Sequence, residues 1–319
     1  MRRHPDNPLI TRKNIPDVLP DLTDVSSVFN PGAARFGKEI KLILRVQSRG
    51  RETFFLTAGS RDGIDFVIEP HPIRFEDLDH VKEKIFHSYD ARITPLEGSY
   101  YITFALDIED GCRSGLVRTK DFKRFIFMGL AGRQDTRNVV LFPEKIGGEY
   151  LRLERPNLFS GGGVKSGTSI ILSSSGDLLH WKPVAPVAEG RFHYWDEIIG
   201  PGPPPVKTEK GWILIYHGVA MHLERAWIYQ AGVMLLDLDD PSRVLGRSRR
   251  NILEPREMYE MVGQVPNVVF PSGLVTDAAD SRGFIRPDSR VLIYYGAADT
   301  SVCLAETTIE ELIERAMSD

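Results

Sequence analysis

One short motif recurs along this chain and limits what it can fold into. It reads SRDGIDF at 60–66, TKDFKRF at 119–125 and SSGDLLHW at 174–181. Each copy has a small or hydroxyl residue and an aspartate, then glycine or a hydrophobic residue, then an aromatic. Ser, Thr and Asp side chains accept hydrogen bonds from the amides of a tight turn, so each copy is expected to close a β-hairpin. A repeated unit of this kind cannot bury its apolar face alone and marks a repeat architecture. Five β-rich strands accompany the turns and are apolar for most of their length: IKLILRV (40–46), SYYITFALD (99–107), YLRLERP (150–156), GWILIYHGV (211–219) and RVLIYYGAAD (290–299). Near their ends stand Arg45, Asp107, Arg155, His217 and Asp299, as though each strand delivered one side chain to a shared point. The inner strands of a propeller converge on a central channel in this way. The expected fold class is therefore all-β, a five-bladed β-propeller with these five strands innermost.

Helix signals are confined to a stretch around 75–85 and to the final TTIEELIERAM, where Thr308 and Glu311 make a capping box. Short helices are thus expected at the periphery and at the carboxyl terminus. No Pro/Ser-rich linker divides the chain, and GPGPPPV at 200–206 reads as a rigid loop, so residues 1–319 are expected to form one catalytic domain.

Lys and Arg number 40 against 44 Asp and Glu, and the two signs are interspersed. Nothing in that pattern offers a footprint for nucleic acid or an anionic membrane. The amino-terminal MRRHPDNPLITRKN has positive charges but no apolar stretch behind them, and no run reaches membrane-spanning length. A cytoplasmic protein is expected. Cys112 and Cys303, the two cysteines, have no metal-ligand spacing and no disulfide framework around them.

Phosphate-loop, dinucleotide, zinc-protease and serine-hydrolase motifs are absent in any convincing context. SGGG at 160–163 lacks the Lys-Ser/Thr and the helix a phosphate loop needs, and reads as a plain loop. What remains is a set of carboxylates, cations and aromatics in segments rich in Gly, Pro and Tyr. Cleaving a sugar bond needs a carboxylic acid to protonate the leaving oxygen and a nucleophile on the opposite face. In HSYDARIT, Asp90 lies beside Tyr89 and two residues before Arg92. From spacing alone Asp90 is either a structural carboxylate, bonded to nearby amides and paired with Arg92, or a catalytic acid.

Ten colinear segments spanning nearly the whole chain resemble glycoside hydrolase family 130, the inverting β-mannoside phosphorylases and related mannosidases. They are VFNPGAARF, LRVQSRGR, SYDARIT, RNVVLFPEKIGG, LERP, DLLHW, PPPVKTEKGWILIYHGV, LLDLDDPSRVL, VPNVVFPSG and YYGAADT. The resemblance implies that Asp90 is the general acid, acting through a sugar hydroxyl. It implies that Arg137, Asn138, Arg155 and His217 hold phosphate, that Arg45 and Arg51 lie near the cleaved sugar, and that Asn30, Tyr229 and Asp299 line the pocket, with Tyr89 and Arg92 flanking the acid. A β-mannoside oligosaccharide and inorganic phosphate are the implied partners, with phosphate as co-substrate and no metal or other cofactor. A homo-oligomer is compatible with the carboxyl-terminal helix, which could equally cap the propeller.

The chain departs from the family at one place. Family phosphorylases carry a lysine shortly after the Trp-acid pair, whereas this chain reads WDEIIGPG, with Ile198 or Ile199 there. A lost cation weakens anion binding and makes a β-mannosidase using water the alternative, for which Glu197 and Glu224 are the candidate bases, or else ordinary surface glutamates. A non-catalytic sugar-binding propeller is a second alternative. Trp195 is the better tryptophan for a sugar contact; Trp181 and Trp212 read as packing, and His87 and His193 as structural histidines.

Overall fold

The computed structural model describes residues 1–17, 20–78, 81–109, 111–132, 135–160, 163–165, 167–221 and 227–318, with backbone alone at 21, 158–160 and 163–165. Five antiparallel sheets follow one another along the chain. Blade I comprises Ser27–Phe36, Glu39–Gln47, Thr53–Ser60 and Val67–Pro72. Blade II comprises Ile85–Leu96, Ser99–Ile108, Gly111–Thr119 and Phe125–Leu130, with Phe75–Glu76 added in parallel at its edge. Blade III holds Thr136–Leu141, Tyr150–Pro156, Ser169–Ser175 and Lys182–Glu189, and blade IV holds Ile198–Pro201, Gly211–Met221, Trp227–Leu236 and Val244–Arg247. Blade V is Val269–Thr276, Arg290–Ala297 and Ser301–Thr308, completed by Arg2–Arg3 from the other end of the chain. That last pairing, Arg2 with Glu306 and Arg3 with Ala305, closes the ring. Behind it the Arg3 guanidinium donates to both oxygens of the fully buried Glu260, at 2.8 and 2.9 Å.

The hydrophobic core lies between blades rather than within them, as expected for units that bury their faces only against neighbours. Leu42, Leu44 and Leu56 of blade I pack with Leu292, Tyr294 and Leu304 of blade V. Ile43 and Phe55, on the other side of blade I, pack with Ile93, Phe104 and Val117 of blade II. Each middle strand is covered on both faces, which is why it reads as a near-continuous apolar run rather than an alternating one.

The three motif copies adopt one structure. Ser60, Thr119 and Ser175 each accept an amide three residues on, at 2.9 to 3.0 Å, and Asp62, Asp121 and Asp177 each accept two further amides at 2.8 to 3.0 Å. The residue after each Asp has positive φ, +82° at Gly63, +56° at Phe122 and +69° at Leu178. The side-chain cap and the buried aromatic hold a conformation that only the first copy's glycine adopts without strain. Asp237 accepts the amides of Asp239 and Asp240 in a related turn of blade IV.

Two expectations are corrected. Among the described residues of 75–85 there is no α-helix: Phe75–Glu76 and the start of Ile85–Leu96 are strands and Leu78 is in a 3-10 turn, because the apolar residues there fill the gap beside Phe55 and Phe104. The five apolar runs are the second strand of each blade, not the innermost. It is the first strands, such as Ser27–Phe36, that contact the first strands of both neighbouring blades. The carboxyl-terminal helix Ile309–Met317 is present, with Thr308 accepting from the Glu311 amide at 3.3 Å, and it buries Ile309, Leu312 and Ala316 against blades IV and V.

Candidate active site

Three innermost strands slip register at the same place. The ladders shift between Phe29 and Gly32, between Tyr89 and Arg92, and between Arg137 and Val140. At these bulges Asn30, Asp90 and Asn138 take φ of +46°, +58° and +53°. Asn and Asp tolerate this left-handed region better than other residues bearing a Cβ, and a bulge re-aims the side chain it carries. All three side chains line one polar cavity of about 410 Å3 on the axis. The second strands add Arg45, Asp107 and Arg155 to its wall, Asp299 follows the second strand of blade V, and Tyr229 and Arg51 complete the rim.

Asp90 accepts hydrogen bonds from Asn30 Nδ2 at 2.9 Å and from an Arg45 guanidinium nitrogen at 3.0 Å, both on Oδ1. Among the described residues no protein donor meets Oδ2. Burial opposes its ionisation, but Arg45, Arg92 and the Asn30 bond outweigh burial and hold its pKa below the ordinary carboxylate value. Arg45 is fixed between the rings of Phe29 and Tyr89, 4.5 and 4.9 Å from their centroids. Arg92 stands behind the cavity, fully buried, donating at 2.8 Å to the carbonyls of Gly202 and Asp90. It therefore pairs with the Asp90 backbone and reaches its carboxylate only through space.

Across the cavity the charge is positive. An Arg155 guanidinium nitrogen lies 3.3 Å from His217 Nε2, an orientation that leaves the ring proton on Nδ1. Burial, then Arg155 and Arg92, push the His217 pKa well down, so the ring is neutral. Burial also lowers Arg155 and Arg92 to about 10, and both remain charged near neutrality. Arg137 lies 3.8 Å from Asp107, which accepts the Tyr89 hydroxyl at 2.8 Å. Among the described residues, the buried polar atoms Arg137 Nε, Arg155 Nε and Asn138 Oδ1 have no hydrogen-bond partner. Two arginines with unpartnered buried N–H groups beside one polar cavity suit it to hold an anion. Gly200 is required beside it: a Cβ there would lie 2.5 Å from the His217 ring and 3.2 Å from Arg155.

Ile199 is buried in the core between blades III and IV. Ile198, two residues from Gly200, shares its side of the strand, and of the two isoleucines it is the one on the side of Arg155 and His217. Trp195 and Glu197 lie outside the cavity, in a separate groove on blade IV. The Trp195 indole lies on Gly218 and Gly232 and donates to the Arg249 carbonyl at 2.9 Å. Glu224 falls outside the described residues. His87 lines the cavity. Gln47, Thr53, Val265, Val268 and Phe270 also line it and were not anticipated; Gln47 alone had a signal, being two residues beyond Arg45 on one strand. Among the described residues no cluster of His, Cys, Asp or Glu could hold a metal.

Asp299 adds a second acid. Burial lifts its pKa to about 6 against an ordinary 3.8, helped by Asp90 and opposed by Arg45. Below pH 3.8 both folded and unfolded chains hold this proton and no cost arises. As pH climbs from 3.8 to 6 the unfolded chain gives it up first, so stability falls by up to about 3 kcal/mol and stays lower above pH 6. Asp299→Asn is accordingly expected to raise the melting temperature at pH 7.5 and to leave it nearly unchanged at pH 4, as read by scanning calorimetry at the two pH values. An equal shift at both would mean the carboxyl is not strained by burial.

The cavity thus sets one partner-rich carboxylate and one protonatable carboxyl opposite a cationic seat, an arrangement suited to a polyol held against an anion. The family model described as beta-1,4-mannooligosaccharide phosphorylase matches residues 1–317. A beta-1,4-mannooligosaccharide phosphorylase of Ruminococcus albus is 31% identical over 98% of this chain and 89% of its own length. A beta-1,2-mannobiose phosphorylase of Listeria innocua is 32% identical over 82% of this chain and 68% of its own. The solved structure of a Listeria innocua beta-1,2-mannobiose phosphorylase with beta-1,2-mannobiose superposes with a TM-score of 0.84 at 28% identity, covering 99% of this chain and 98% of that one. This chain belongs to glycoside hydrolase family 130.

Proposed function

We propose that the protein cleaves β-mannosides with inorganic phosphate, giving α-mannose 1-phosphate and a chain shortened by one sugar. The observation that carries this reading is that Arg137, Asn138 and Arg155 line the same cavity as Asp90, with neutral His217 buried against Arg155 behind its wall. Phosphate held there attacks the anomeric carbon from the side opposite the leaving oxygen, which inverts the configuration. Asp90 gives a proton to the leaving oxygen, directly or through a sugar hydroxyl between them. The C1–O bond to the acceptor breaks as the C1–O bond to phosphate forms, and the proton then lost from the sugar phosphate replaces the one Asp90 gave to the leaving oxygen.

Arg45 and Arg92 favour the Asp90 anion and lower its pKa. A phosphate bound opposite offsets that positive field and raises the Asp90 pKa toward the protonated form the reaction needs. Asn30, Arg45 and Asp299 are the groups to hold the cleaved mannose, and Tyr89 fixes Arg45. Glu197 lies outside the cavity, which removes one candidate base for hydrolysis.

Product analysis on β-1,2- and β-1,4-linked mannobiose, with and without phosphate, tests the reading. Mannose 1-phosphate is expected, and only when phosphate is present. Free mannose forming at a phosphate-independent rate would overturn it.

A further inference from the structure

Asp107 lines the catalytic cavity yet neither gives the proton nor supplies positive charge. It stands near the end of the second strand of blade II, Ser99–Ile108, where Thr103, Ala105 and Asp107 share one face. Thr103 donates from that face to the Val139 carbonyl of blade III at 2.6 Å, so the face looks onto the strand that carries Arg137. Asp107 Oδ1 accepts the Tyr89 hydroxyl at 2.8 Å and lies 3.8 Å from Arg137 Nη2. Arg137 in turn lies close enough to Arg155 to oppose its charge, so Asp107 borders the cationic side of the cavity.

At 3.8 Å the contact with Arg137 is an ion pair and too long for a hydrogen bond. It sets a cation beside the carboxylate without occupying the guanidinium donors, and Arg137 Nε is unpartnered among the described residues. Tyr89 is itself held firmly. It is buried, and its ring centroid lies 4.9 Å from the Arg45 guanidinium and 5.8 Å from that of Arg137. Burial raises the pKa of its hydroxyl, which stays protonated and donates to Asp107. The carboxylate is thereby oriented, and among the described residues no hydrogen-bond donor meets its Oδ2. An oxygen with free lone pairs thus faces the cavity beside an arginine with free donors.

A fixed carboxylate at the edge of an anion site acts as a chemical filter. Phosphate and sulfate share a tetrahedral shape and, at pH 8, nearly the same charge, but phosphate keeps a proton and sulfate has none. A carboxylate accepts that proton in a charge-assisted bond of about 2.5–2.7 Å, whereas it meets sulfate oxygen against oxygen. Sites built to bond a ligand's O–H reject the analogue that lacks it far more strongly than sites that read shape alone. We propose that Asp107 accepts the hydrogen bond of hydrogen phosphate bound at Arg137 and Arg155, and so admits phosphate while excluding sulfate. The proposal rests on the phosphorolysis reading for its co-substrate. Turning the protonated oxygen toward Asp107 leaves the unprotonated oxygens of phosphate for attack on the anomeric carbon.

Calorimetric titration of inorganic phosphate and of sulfate into the protein at pH 8 provides the test. The wild type is expected to bind phosphate at least a hundredfold tighter than sulfate. Asp107→Asn keeps an oxygen for the Tyr89 hydroxyl and exchanges the lone pairs of Oδ2 for an amide N–H. It is expected to cut the ratio at least tenfold, with sulfate bound more tightly and phosphate no more tightly than in the wild type. A negative charge acting only through space would, on removal, tighten both anions alike; that result overturns the proposal, as does a wild-type ratio near one. A merely structural Asp107 would lower the melting temperature of the variant and leave the ratio unchanged, which overturns it equally. Kinetics give a second readout: sulfate is expected to compete with phosphate in Asp107→Asn at concentrations at least tenfold below those needed in the wild type. If neither anion binds and mannobiose gives no mannose 1-phosphate, the functional reading falls and this proposal with it. Phosphorolysis by a protein that binds the two anions alike sinks the proposal alone.

Discussion

Asp90→Asn is expected to lower kcat for mannobiose phosphorolysis by about a thousandfold or more, within the range that general acid catalysis contributes. Asparagine keeps the size of the side chain and tolerates the left-handed φ of +58° at this bulge. Its amide oxygen can still accept from Asn30 and Arg45, the two donors that now meet Oδ1. What it cannot do is surrender a proton to the leaving oxygen. Sugar binding, followed by calorimetry, should therefore survive while turnover is lost. Asp90→Ala is a different perturbation, because it leaves the Arg45 cation and the Asn30 amide buried without their acceptor and places alanine at a strained φ. A melting temperature that drops for the alanine variant but holds for asparagine would separate the chemical role from the structural one. Turnover unchanged in Asp90→Asn would remove Asp90 as the acid.

Much of this fold was legible because its repeated unit is written in side chains that make local bonds. The Ser/Thr-x-Asp turns bind their own backbone amides within three residues, so the pattern and the geometry coincide. The five apolar strands were equally plain, and the residues near their ends do gather at one cavity, His217 just beneath it. Their rank within the blade was not legible. An innermost strand such as Thr136–Leu141 is short and interrupted by its bulge, whereas the second strand is covered on both faces and carries the stronger apolar signal. The helix expected around 75–85 gives way to strands at both ends for a related reason: its hydrophobic residues answer to blade II packing rather than to helical periodicity. Trp195 and Glu197 lie only a few residues from the cavity strand in sequence, yet the turn before Ile198 carries them outward to another groove. Spacing along the chain cannot reveal on which side of such a turn a side chain ends.

Arg155→Met is expected to lower kcat/KM for phosphate by about a hundredfold or more, since each charge-assisted bond to a bound anion is worth about 1.5–3 kcal/mol and an arginine can supply two. The same change should cost little stability without phosphate. Burial draws the Arg155 pKa down to about 10, with Arg137 adding to the decrease, so the cation is held at an expense that an uncharged side chain of similar length avoids. In the wild type, phosphate should raise the melting temperature by mass action on the folded state, and in Arg155→Met that rise should nearly vanish. Ile198→Lys supplies the opposite perturbation, because Ile198 shares the strand face of Gly200 beside Arg155 and His217. The added cation is expected to lower the KM for phosphate about tenfold and to enlarge the phosphate-dependent rise in melting temperature. A phosphate KM that moves in neither variant would place the anion elsewhere and withdraw Arg155 and His217 from the phosphate seat.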